Sequence, residues 1–484
     1  MNVKKIIVVG GGTSGLISAL MLQKRFPDKK VTIIRSTKIG IAGVGESSTE
    51  HWAEFLRFID VPILSPILKA NATIKSGVYF ENWAEEDFMH SIQNHMVETD
   101  GDYFQVYGHL ISNKRSCREL QGYGIWENKV ALTHFNNVNN SPFNQFHFDT
   151  FKLNEWLSDL CRQRRIEIVN DDLHSVKIED GIVKSIICER GEYESDFFID
   201  ATGFKKLLAH KALKSEWVSY ADRFPVNSAI AFATDESEEY NLYTKSTARD
   251  YGWSWTIPTQ TKTGNGYVFS DKYINADQAK REMEEAYGQE LQVREFKFNP
   301  GRLEHVWTAN VFAVGLAQSF VEPLEATSIG SVIQSIGCFM HHLPSWNDEQ
   351  CNKDIANIFD NISDYVQAHY LTKKENTPFW KEVKDNMILS DTLKENLAKW
   401  KHRLPLAGDI KCNWGMFFAA NYIPLLYGLK FFDIKSIGIE YSQYNPVNNI
   451  DLKLKHHNDG TFWVSHKKMI KLLTDGIYYH FDEN

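Results

Sequence analysis

Residues 3–9 end in four consecutive β-branched positions, Ile6 to Val9, and this apolar run predicts a buried strand. Residues 10–15 read as a tight glycine loop. Residues 14–25 (SGLISALMLQKR) carry the three-to-four spacing of an amphipathic helix, and KVTIIRS follows as a second strand. The chain therefore opens as a βαβ unit. Further strand-like runs recur at 183–189, 194–200, 226–233, 253–258 and 266–270. From about residue 328 the pattern turns helical, in SIGSVIQSIGCFMHHL, IANIFDNISDYVQAHYL and TLKENLAKWKHRL. No internal repeat, low-complexity segment or Pro/Gly/Ser-rich linker divides the chain. In GWSWTIP (252–258), alternation puts Trp253, Trp255 and Ile257 on one face of a strand that Pro258 ends, so an apolar wall is expected there.

Composition narrows the class. The 484 residues suffice for a large core, and 43% hydrophobic and 13% aromatic content point to an aromatic-rich globular protein. A net charge of −9 with dispersed Lys and Arg lacks the footprint of a nucleic-acid binder, so a small neutral or hydrophobic ligand fits better. Cysteines 117, 161, 188, 338, 351 and 412 form no C-x-x-C pair, and the expectation is free thiols, no metal and a reducing cytoplasm. The first apolar run is short for a signal peptide, and no segment approaches a membrane span.

GGGTSG places Gly10, Gly12 and Gly15 between a strand and a helix, with Thr13 and Ser14 inside the loop. In that context the spacing predicts a dinucleotide site. Gly10 allows the turn, Gly12 lets amides approach a pyrophosphate, and Gly15 lets helix and strand pack closely. A plain tight turn is the alternative. The acidic residue that usually accepts the ribose hydroxyls after the second strand is missing. Arg35 and Ser36 stand there, and Arg accepts no hydrogen bond. FFIDATGF, with Asp200 and Gly203, and VFAVGLAQSFVEPLEATSIG, with Gly315 and Leu324, are further pieces that would approach a cofactor, and they favour FAD over NAD.

Taken together, GGGTSG, GVGESST (43–49), TIKSGVYFENW (73–83), HFD (147–149), DATGF, GWSWTIP, GYVFS (266–270), FVEPLEATSI (320–329) and, more weakly, HYLTKKENTPFW (369–380) resemble the flavin-dependent halogenases of the tryptophan-halogenase type. The resemblance implies an α/β fold: a Rossmann-type, monooxygenase-like FAD-binding body with an additional β-sheet and a helical C-terminal subdomain. Residues 1–345 would hold the FAD-binding and halogenation module in discontinuous pieces, and 346–484 would cover the substrate site. Gly45, Glu46 and Ser47 join the cofactor-binding set.

The implied chemistry is that of a two-component cytoplasmic enzyme. Reduced FAD from a separate reductase reacts with oxygen to give a hydroperoxide, which chloride, bromide or iodide attacks to form hypohalous acid. Lys75 matches the family's lysine, whose amine holds or activates that acid. Glu325 matches its essential glutamate, with Glu322 the competing carboxylate. The amides of Thr327 and Ser328 would form a halide site, although most tryptophan-specific members have Gly at the position of Ser328. Trp253, Trp255, Ile257 and Pro258 would separate flavin from substrate. Trp414, Phe417, Phe418 and Tyr422 read either as a pocket for a flat arene or as core, so an indole-like or phenolic substrate is expected and free tryptophan is left open. The alternatives are an FAD-dependent aromatic hydroxylase and a non-catalytic flavin-binding protein.

Overall fold

The computed structural model describes residues 3–41, 46–91, 103–116, 124–131, 143–443 and 463–476. Strand β1 (Lys5–Val9) runs into helix α1 (Thr13–Arg25) and returns as β2 (Lys30–Arg35). β1 lies parallel between β2 and Phe197–Asp200 at the centre of a six-stranded sheet. Glu167–Asn170 and Val311–Ala313 extend this sheet in parallel, and Trp307–Thr308 closes one edge antiparallel. Ile6 to Val9 are buried, as a central strand covered by helices on both faces requires.

A second, seven-stranded sheet carries β4 (Gly252–Pro258) between Thr263–Phe269 and Tyr243–Arg249 and ends in Gly77–Glu81 and Phe88–Ser91. A small third sheet joins Glu46–Ser47, Gln145–Phe148 and β3 (Thr73–Lys75). The helical stretch expected from residue 328 appears as α2 (Thr327–His342), α3 (Asp348–His369) and shorter helices that include Asp391–Trp400. Asn347 caps α3, and Thr377 in the ENTPFW segment caps the helix Pro378–Asn386.

The strand expected over 194–200 divides in two. Glu192–Glu194 pairs with Ile182–Cys188 in a separate sheet, while Phe197–Asp200 enters the central one. Between them, Asp196 accepts the amides of Lys4 and Lys5, both at 2.8 Å, which ends one ladder and aligns the next.

The last described segment folds back on the front of the chain. Trp463–Ser465 pairs with Lys129–Ala131, and buried His466 accepts the Ile74 amide at 3.0 Å, pinning β3 beside Lys75. Asp149 of HFD caps helix Thr150–Gln163 and pairs with Lys262, so its part is structural.

Candidate active site

A cavity of about 1080 Å³ begins at the glycine loop and ends at Lys75 and Glu325. Gly10 sits at φ 126°, and a Cβ there would lie 2.1 Å from the Ala201 carbonyl oxygen, so only glycine makes this turn. Gly12, Thr13 and Ser14 border the cavity, whereas Gly15 lies behind it, packed against the Gly10 carbonyl. The first turn of α1 has neither a side-chain cap nor an acidic residue, which leaves its amides for an anion. Buried Ser47 Oγ faces the same cavity without a hydrogen-bond partner. Glu46 lies close by, its carboxyl pushed up to about 7 by burial and reached by the Thr13 hydroxyl at 3.4 Å. Uncapped amides, an orphaned hydroxyl and a large cavity fit a dinucleotide cofactor such as FAD.

Gly203, Gly315 and Leu324 also border the cavity; Gly45 lies outside the described residues. Asp200 corrects the sequence reading. It does not border the cavity, and its carboxylate accepts from Thr202, Leu208 and Ala209, so its role is to position the Ala201–Gly203 turn. Arg35 lies along Gly11 and donates to Asn170 and Ser158. At that end of the cavity an acidic pair, Asp171 and Asp172, arrives from beyond the neighbouring strand Glu167–Asn170. Sequence spacing from β2 could not find these carboxylates, because the strand that brings them follows far later in the chain.

Lys75 is wholly buried and donates to the Ser48 carbonyl at 3.1 Å. Burial lowers its amine to about 8, against the opposing pull of the Glu325 and Glu50 charges. The two histidines nearest β3, His147 and His466, are held neutral by their own burial.

Glu325 sits at φ 64°, and Ala326 follows at φ 54°. Two successive left-handed non-glycine residues cost roughly 1–3 kcal/mol each and mark a functional turn. The turn aims the Glu325 carboxylate inward, where one oxygen meets His90 Nδ1 and His369 Nε2, both at 3.0 Å. Burial pushes Glu325 up, but the charge and hydrogen bonds of His90 and His369 outweigh it and hold the carboxylate well below its usual range. His369 Nδ1 also faces the Tyr365 carbonyl at 2.8 Å. Neither histidine was singled out from the sequence. His90 arrives on an edge strand and His369 at the end of α3, so only the fold brings them to Glu325.

The competing carboxylate behaves oppositely. Burial pushes Glu322 up to about 8, against the opposing pull of the Tyr370 hydroxyl, at 2.9 Å, and the Trp253 indole. After the left-handed turn, α2 begins at Thr327 with no side-chain cap, so the amides of Thr327 and Ser328 face the cavity as helix-end donors.

Trp253, Trp255 and Ile257 share one face of β4 and border the cavity; Pro258 does not, and instead accepts the Thr73 hydroxyl. Trp255 lies over Gly266, where a Cβ would come within 2.0 Å of its ring. The four aromatics of the C-terminal region do not form one pocket, and none borders this cavity. Phe417 stacks on Tyr365 at 3.9 Å and Tyr422 packs at its edge, Trp414 rests against His341, and Phe418 is exposed.

The profile of the tryptophan halogenase family matches residues 5–436. The chain belongs to this family. It is 32% identical to the tryptophan 6-halogenase SttH of Streptomyces toxytricini over 446 residues, which cover 84% of this chain and 85% of the relative. It is 26% identical to the tryptophan 7-halogenase RebH of Lentzea aerocolonigenes over 460 residues, 86% of each chain. The crystal structure of SttH superposes with a TM-score of 0.84 over 99% of both chains at 26% identity. A tryptophan halogenase structure from Shewanella frigidimarina shares the fold at a TM-score of 0.88 and 22% identity over 98% of both chains. The fold is thus that of the flavin-dependent halogenases, and among the described residues no helix is long and apolar enough to cross a membrane.

Proposed function

We propose that this chain halogenates an electron-rich, indole-like or phenolic small molecule through hypohalous acid directed by Lys75 and Glu325. The observation that carries the reading is the pairing of a buried amine lowered to about 8 with a buried, ionised carboxylate at the end of one cavity that starts at the glycine loop. Gly10, Gly12, Ser47 and the α1 amides would hold FAD. Reduced FAD, when bound, supplies with dioxygen the oxidising equivalent that converts halide into hypohalous acid.

The chain's own groups direct that oxidant. Lys75, neutral for part of the time near neutral pH, hydrogen-bonds or captures the electrophilic halogen and keeps it from diffusing as a free oxidant. Glu325, already ionised, takes the proton that the arene releases, and His90 and His369 keep its accepting oxygen oriented. The amides of Thr327 and Ser328 offer a halide site. Trp253, Trp255 and Ile257 wall the cavity so that an arene stays away from the cofactor. At the adenosine end, Asp172, paired with Lys38, takes the place of the acid that β2 lacks, while Asp171 is taken up by the Arg190 amide and the Tyr193 hydroxyl. The relatives named above act on tryptophan; here Phe417 and Tyr422 are packed against Tyr365 outside the cavity, so the aromatic substrate class rests on the family and on the cavity itself. A separate reductase delivers the reduced cofactor.

The test supplies reduced FAD, oxygen and chloride, bromide or iodide with a panel of indoles and phenols, and reads products by mass spectrometry. Halogenated product is expected. Hydroxylated product without halogen would replace this reading with an aromatic hydroxylase, and no product with any halide would overturn it.

A further inference from the structure

Far from the cavity, α2 and α3 bring together side chains that the sequence keeps apart. α2 presents Cys338 and His342 one turn from each other, and α3 presents Cys351 and Asp354 in the same way. Ligand atoms of Cys338, His342 and Asp354 all lie within 4.8 Å of one another. His342 Nε2 stands 2.9 Å from Asp354 Oδ2, while the other Asp354 oxygen is fixed by the Gln350 amide at 2.9 Å. The Cys351 thiol faces that of Cys338, and both are fully buried. Cys412, from the segment before the helix Ala419–Gly428, lies within electrostatic reach of Cys338 and Asp354. Of these side chains, Cys338, His342 and Asp354 are the ones that close on one point.

A packed apolar seam needs none of these groups, and a simple polar cross-link would need only His342 and Asp354. A thiol, an imidazole and a carboxylate within 4.8 Å of one another are instead a donor set for a zinc-class ion. Facing helices that offer such residues one turn apart are a common way to build a metal site inside a bundle. We infer that Cys338, His342 and Asp354 bind a single zinc-class divalent cation between α2 and α3, with a fourth position open to solvent or a further donor. Binding replaces the Cys338 S–H bond by a metal–sulfur bond and releases that proton to solvent, with no change in oxidation state. The site lies roughly 17 Å along α2 from Thr327, at a rise of about 1.5 Å per residue, so it takes no part in the reaction. Its effect is on register. α2 follows directly from Glu325 and α3 ends at His369, so a cation joining the two helices fixes the pair that carries the active-site carboxylate and its partner.

The experiment uses the untagged full-length protein, purified under reducing conditions and dialysed before elemental analysis, with a second sample stripped and reloaded with cobalt(II). The expected result is about one zinc per chain and, in the cobalt form, thiolate-to-metal charge-transfer absorption together with intense tetrahedral bands. Cys338→Ser should abolish the charge-transfer bands, and His342→Gln should weaken cobalt binding at least ~10-fold. Wild-type zinc content no higher than that of these variants, or cobalt bound without a thiolate band, would overturn the assignment. So would a Cys338–Cys351 disulfide in the reduced preparation. The wild-type cobalt spectrum decides even if a variant misfolds, and none of these readouts depends on halogenation.

Discussion

Replacing Lys75 with Met removes the proposed halogen-handling amine and, by the same physics, stabilises the protein. The folded chain lowers this amine from its ordinary 10.5 to about 8, chiefly by burial. It therefore binds the proton less tightly than the unfolded chain does. Between about pH 8 and 10.5 the unfolded chain holds more protons, and folding stability rises with pH. Below that window the folded protein keeps a buried ammonium at a cost of about 3 kcal/mol near pH 7, which roughly halves by about pH 9.5. Lys75→Met should lose halogenation yet be more stable than the parent by about that 3 kcal/mol near neutrality, the gain roughly halving by about pH 9.5. Urea unfolding of both proteins at the two pH values, with matched slopes, gives the comparison. A variant less stable than the parent near pH 7, or a difference that does not change with pH, would mean that the ammonium is fully compensated by Glu325. The case for a partly neutral amine would then fail.

Three further outcomes rest on the same geometry. His369→Gln removes one of the groups that hold Glu325 ionised, so the acid limb of the kcat profile should move to higher pH and kcat should fall about 10- to 100-fold near neutrality; an unmoved limb would detach His369 from Glu325. Gly10→Val adds a branched Cβ where 2.1 Å is available, and FAD affinity read by fluorescence titration should weaken at least ~10-fold while the fold persists by circular dichroism. Glu322→Gln should keep activity within about threefold near pH 7, because burial already leaves that carboxyl protonated, whereas Glu325→Gln should lose at least ~100-fold; equal losses in steady-state assays would contradict the division between the two.

Local patterning set how much could be read from the sequence. Ile6 to Val9, the glycine loop and α1 declare themselves because one buried strand, one strained turn and one amphipathic face are each written in consecutive residues. The wall of Trp253, Trp255 and Ile257 was legible for the same reason, since alternation along β4 fixes which side chains share a face. Asp200 misled because a carboxylate at a strand end beside a glycine resembles a ligand, whereas it is consumed by backbone amides of its own loop. His90, His369 and the Asp171–Asp172 pair were invisible because no local period links them to Glu325 or to β2; sheet order and helix packing do. The cysteines carried a similar trap. Judged by C-x-x-C spacing they are unrelated, yet two packed helices set Cys338 beside Cys351 and close Cys338 on His342 and Asp354.

Glu322 and Glu325 show why such long-range partners decide chemistry. They lie three residues apart in one segment, both fully buried, and burial alone would leave both neutral. Glu322 meets the neutral Tyr370 hydroxyl and Trp253 indole, with no charged partner to offset burial, and obeys that rule. Glu325, turned by two left-handed residues, meets two imidazoles from opposite ends of the chain and is ionised instead. The charge of that carboxylate, with that of Glu50, keeps the Lys75 amine from falling further. A lysine lowered only to about 8 is neutral often enough to take up an electrophilic halogen and charged often enough to hydrogen-bond it. That balance depends on Glu325 staying ionised, and so on the packing of α3 against the sheet edge that carries His90.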